Sequence, residues 1–102
     1  MSKNLRNERD FFLTLLRSKD DSQKRLLFTA TSRQLQALAE IFYNIGVLPI
    51  TPKYKKKLIR YRKLLKEYVY DNLNREIWIK KHYRLTLKIL RLIRVYILKL
   101  LE

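Results

Sequence analysis

Residues 51–66 read TPKYKKKLIRYRKLLK, and the way this stretch winds decides what the rest of the chain must do. Thr51 offers a hydroxyl for helix capping, and Pro52 sits at a first helical position, where its missing N–H costs nothing. At 100° per residue Tyr54, Leu58, Tyr61, Leu65 and Tyr68 fall on one stripe, at spacings of four and three. That spacing predicts a helix from Pro52 to about Tyr70 with the stripe buried. Lys53, Lys56, Lys57, Arg60 and Lys63 fall on the opposite side, and Lys55, Arg62 and Lys66 flank the stripe. Eight of the fourteen residues from Lys53 to Lys66 are basic and none is acidic, so the exposed surface of this helix is almost purely cationic.

Downstream, Asp71, Asn72 and Asn74 are poor helix-interior residues and good caps, and they predict a break. From Arg75 to Leu101 the apolar Ile79, Leu85, Ile89, Leu90, Ile93, Tyr96, Ile97 and Leu100 lie opposite Lys80, Arg84, Lys88, Arg91 and Lys99. The alternation Leu85, Leu87, Ile89 also fits a strand, but the helical register persists through the whole segment, which favours one long amphipathic helix. A straight rod of about 27 residues is roughly 40 Å long. A core this small does not cover such a rod, so self-association is expected, through this helix or through the seam of the helix that precedes Gly46.

Upstream, Pro49 and Pro52 keep the neighbouring helices apart. Thr31 to Gln34 reads T-x-x-Q, a capping box, and starts a helix at Ser32 whose Leu35, Leu38, Phe42 and Ile45 form a seam widened by Ile41. Gly46 is placed to close that helix in the left-handed conformation. Asp20, Asp21 and Ser22 supply caps for a short helix ending in Leu26, Leu27 and Phe28. Residues 4–18 carry Leu5, Phe12, Leu13, Leu15 and Leu16 at helical spacing. The expectation is a single all-α domain, 1–102, of four or five helices, its 1–50 part mildly charged and its 51–102 part strongly basic.

The net charge is +15, and residues 51–102 hold 16 basic groups against 4 acidic ones, while residues 1–50 hold 8 against 5. A field of that sign, concentrated in one half, gathers polyanions: nucleic acid or an anionic membrane surface. Catalytic signals are weak. Cysteine is absent and glycine occurs once, which leaves out thiolate sites and a glycine-rich phosphate loop. His82, the only histidine, stands beside Trp78 and reads as packed or solvated. Asp20 and Asp21 lack the ligand ladder of a calcium loop. Neither an enzyme nor a metal or other cofactor is expected, and neither a signal peptide nor a membrane span is indicated.

The cations at successive turns fit a phosphate backbone, where each neutralised phosphate releases counterions whatever the base sequence. The expected contact set is Lys53, Lys56, Lys57, Arg60 and Lys63, with Arg84, Lys88 and Arg91 from the long helix. The register of Tyr54, Tyr61 and Tyr68 favours core over base stacking. A helix-turn-helix is a further option, with Ser32, Arg33, Gln34 and Gln36 presented to base edges. The rival class is a membrane-active or capsid-interior protein using residues 75–101, with Trp78, Tyr83 and Tyr96 on that segment; a third is an accessory protein whose charge meets an acidic protein.

The stretches LLRSKDDSQKRLLFTATSRQLQALAEIFYNI and LPITPKYKKKLIRYRKLLKEY resemble small basic proteins of Maverick/Polinton-type virus-like transposons and the related adintoviruses. The shared arrangement, over residues 15–68, is a Leu-Leu helix, a Lys/Arg-Leu-Leu segment ending Thr29-Ala30, a helix with Gln34, Ala37, Glu40 and Ile41, and a Pro-linked Lys-rich helix. The resemblance implies a virion or DNA-packaging context, with the basic helix as the condensing surface; together with the cationic second half, the expectation is double-stranded DNA binding in a nucleus or virion interior. The long apolar C-terminal helix departs from the Lys-rich ending of that family.

Overall fold

A computed structural model describes residues 3–45, 50–70 and 74–101, in which every regular element is a helix: α1 (Lys3–Asn7), α2 (Arg9–Arg17), α3 (Asp20–Phe28), α4 (Ser32–Asn44), α5 (Pro52–Ile59), α6 (Arg62–Tyr70), α7 (Arg75–Leu92) and α8 (Arg94–Leu101). The all-α class expected from periodicity holds. The number of helices does not, because three segments expected as single rods are each divided.

The core is built around α4. Leu35, Ala37, Leu38, Ala39, Ile41 and Phe42 are all buried, so most of this helix is apolar and it must be covered on several sides. Helix α1 packs on one side through Leu5, and α6 on another through Leu65 and Tyr68. The Tyr68 hydroxyl donates to Leu35 O at 2.6 Å, which satisfies the only polar atom that this fully buried side chain brings inside. Phe42, Tyr68 and Trp78 then form an edge-on cluster, with ring centroids 4.9 to 6.4 Å apart. The capping box at the start of α4 forms as read: Thr31 Oγ1 accepts from the Gln34 N–H, and Gln34 Oε1 accepts from the Thr31 N–H.

The other expected caps act differently. Thr51 precedes α5 with Pro52 at the first helical position, but its hydroxyl makes no capping bond. Asp20 and Asp21 lie within the first turn of α3, where a carboxylate favours the positive end of the helix dipole, and Lys19 takes the cap position. Gly46, Val47, Pro49, Asp71 and Asn72, assigned to helix closure and linkage, lie outside the described residues, as does the Leu100 side chain.

Residues 4–18 divide at Glu8 (φ −100°, ψ 17°). The Pro52–Tyr70 segment tightens at Tyr61, whose N–H donates to Leu58 O in the three-residue pattern of a 3₁₀ turn. Only Leu58 of α5 is buried; Tyr61 is half-buried, and Tyr54, expected inside, is exposed because the first turn of α5 overhangs the edge of the core.

The 40 Å rod is also absent. Residues 75–101 bend at His82 (φ −122°, ψ 26°) and again at Ile93 (φ −107°, ψ 10°), and the molecule measures 33 × 29 × 27 Å. Thr86 donates its hydroxyl to the His82 carbonyl at 3.1 Å, the back-bond that accompanies helix bending. Folded this way, the segment wraps the core instead of leaving it: α7 packs on α3 and α8 returns to α2. Ile79, Ile89, Ile93, Ile97 and Leu101 are buried within one chain. Much of the apolar face that argued for a second copy is therefore covered within the chain, with Leu85 and Tyr96 partly buried. Arg9 Nε donates to Leu101 O at 2.6 Å, tying the last turn to the first helices.

Arg75 joins α6 to α7. It is buried, and it donates from Nε to Tyr68 O (3.1 Å), from Nη2 to Val69 O (2.8 Å) and from Nη1 to Gln36 Oε1 (2.6 Å). One guanidinium thereby caps carbonyls at the end of α6 and reaches across to α4.

Candidate nucleic-acid interface

Each helix that buries its apolar stripe turns its cations outward. Lys53, Lys56, Lys57 and Arg60 at α5, Lys63 of α6, and Arg84, Lys88 and Arg91 of α7 are all exposed, as are Lys55, Arg62, Lys66, Lys80 and Lys81. The two groups meet at the tight turn between α5 and α6. Lys88 Nζ donates to the Tyr61 hydroxyl at 3.3 Å and lies 5.7 Å from its ring centre. Tyr61 follows Arg60, so the contact sets Lys88 of α7 against the turn that joins α5 to α6.

A third element enters that the spacing of Lys53–Lys66 did not reveal. Lys24 of α3 lies 4.9 Å from the Tyr83 ring centre and 5.4 Å from that of Phe28, and the two rings meet edge to face at 5.3 Å. Arg84 Nε donates to the Tyr83 hydroxyl at 3.2 Å. That hydrogen bond, aided by the positive charges of Arg84 and Lys24, holds the Tyr83 phenol below its usual pKa. The dipeptide Lys24-Arg25 on a predicted helix was a visible signal, but its placement beside Arg84 depends on α3 packing against α7.

Arg91 is the member of the expected set whose charge is locally balanced. It donates to Asp20 at the start of α3, with 57% of the Arg91 side chain and 79% of the Asp20 side chain exposed. The pair is solvated, so it adds little stability, but it lowers the positive potential at that end of the α7 row.

The helix-turn-helix option loses two of its four base-reading candidates. Gln34 Oε1 is bound in the capping box, and Gln36 Oε1 accepts from Arg75. His82 packs against Trp78, ring centres 4.8 Å apart. Among the described residues no group of three His, Cys, Asp or Glu side chains is placed to hold a metal ion, and no helix is long and apolar enough to cross a membrane. No family model matches the chain, and neither a curated protein nor a solved structure is similar to it.

Proposed function

We propose that the chain is a non-enzymatic nucleic-acid-binding protein that grips double-stranded DNA through its phosphates, with no reading of sequence. The observation that carries the proposal is the run of outward cations on α5, α6 and α7, with Lys88 of α7 held against Tyr61 at the turn between α5 and α6. The α5 and α6 cations are anchored underneath by Leu58, Leu65 and Tyr68. Several cations at helical spacing suit a phosphate chain because each contact releases a condensed counterion, and α4 keeps few free side chains for base edges. Packaging or condensation in a virus-like element, in a nucleus or virion interior, is the finer form of the same reading; its support is the resemblance over residues 15–68. The membrane-surface alternative has less support, because the apolar face of residues 75–101 that it needs is turned into the core.

The experiment is a salt titration of binding to random duplexes. The wild type should lose affinity steeply with salt. Lys56→Glu, Arg60→Glu and Lys63→Glu combined should weaken every duplex alike and make the log–log slope shallower by about three, one for each lost phosphate contact. A slope near zero for the wild type overturns the proposal.

A further inference from the structure

Beside the ridge, on the flank of α5 and α6 that faces the end of α4, lies a half-open groove of about 480 Å³. Its floor is Phe42, Leu58 and Leu65, all buried. Its walls are Tyr43, Ile59 and Tyr70, which are 67%, 65% and 71% exposed and belong to the small set of large hydrophobic side chains left in water. Grouped around one concavity, they form the kind of apolar patch that marks a contact site. Lys55, Arg62 and Lys66 rim it, and none of these three belongs to the set assigned above to phosphate.

The volume does not identify the occupant, since small-molecule sites span about 300–1,000 Å³. The charge distribution does. Lys55 stands on α5, and Arg62 and Lys66, four apart, share one face of α6, so the cations rim the groove on both sides of the turn between the two helices. A single-headed amphiphile such as a fatty acid satisfies one of these cations and leaves two. A helix with acids along its flanks, and Leu or Phe between them, meets all three and fills the apolar floor, the helix-in-groove mode. A second copy of this chain is disfavoured by charge: it carries +15, so docking it here sets like charges against one another. We infer that the groove docks an acidic amphipathic helix of a partner protein. The inference stands apart from DNA binding, and together the two make the α5–α6 segment an adaptor with phosphate on one face and an acidic helix on the other.

The test is fluorescence anisotropy of the full chain with a synthetic helical peptide that carries Leu at every third or fourth position and Glu on both flanks. Saturable binding is expected. Scrambling the peptide at constant composition should weaken it about tenfold, and Ile59→Asp, at an exposed position that keeps the fold, should do the same. Ile59→Asn, which leaves the charge unchanged, should lose the peptide in the same way and keep the duplex binding of the wild type. Equal binding of the scrambled peptide would reduce the effect to charge and overturn the inference, as would absence of binding, or palmitate occupying the groove and excluding the peptide. Charge reversal at Lys53, Lys56 and Arg60, which lie outside the groove, should weaken DNA binding and make its salt slope shallower by about three, while the ratio between intact and scrambled peptide stays unchanged, so the two readings fail separately.

Discussion

The Lys88 ammonium donates to the Tyr61 hydroxyl at 3.3 Å, across 27 positions of the chain, and this contact holds Lys88 of α7 at the turn between α5 and α6. If duplex DNA spans both rows, charge reversal on α7 has to act even though α7 is remote in sequence from the Lys-rich stretch. Arg84→Glu with Lys88→Glu should make the salt slope shallower by about two, additively with changes on α5. Unchanged slopes would confine binding to Lys53–Lys66.

Tyr68 predicts an alkaline weakness. Burial pushes its phenol above the usual tyrosine range, with the Arg75 charge pulling the other way. An unfolded chain releases this proton near pH 10, whereas the folded chain keeps it to higher pH. The folded state therefore binds more protons in that window, and stability falls as pH rises from about 10 through the folded value, while below about 10 the contribution is complete. Denaturant unfolding at about pH 9 and about pH 11 should show a larger loss for the wild type than for Tyr68→Phe. The Phe variant should itself cost about 1 kcal/mol at neutral pH by removing the Tyr68–Leu35 hydrogen bond.

Two threonines that look equivalent in the sequence should separate in a melting experiment. Thr31→Ala removes the hydroxyl half of a formed capping box and should cost about 1 kcal/mol, or about 4–8 °C in melting temperature. Thr51→Ala removes a hydroxyl with no capping bond and should stay within about 0.5 kcal/mol. Equal losses would mean that the Thr51 hydroxyl caps α5 in solution.

The contrast shows where local pattern suffices. The capping box, the α4 seam and the burial of Leu58, Leu65 and Tyr68 depend on residues within a few positions of each other, and all were legible. The bends at Glu8, His82 and Ile93 were not, because neither proline nor glycine marks them; they arise from wrapping helices around a core whose other side is contributed by distant residues. Arg75 is the clearest case. A lone arginine reads as surface, and its burial makes sense only once the end of α6 and Gln36 of α4, 39 positions away, converge on it. For the interface, the cations and their outward faces were readable, whereas the contact of Lys88 with Tyr61, and the arrival of Lys24, required the fold.

The Arg91–Asp20 pair gives a prediction of opposite sign to the others. Asp20 is exposed and contributes to stability only through a solvated ion pair and the start of α3, so Asp20→Asn should cost under about 1 kcal/mol. It also removes a carboxylate held against the α7 row. A phosphate approaching Arg91 then displaces no competing anion and meets a more positive surface. Asp20→Asn should tighten duplex binding by about two- to tenfold at low salt, with the gain shrinking as salt screens it. Weaker binding, or a gain that is independent of salt, would place Arg91 outside the path of the duplex.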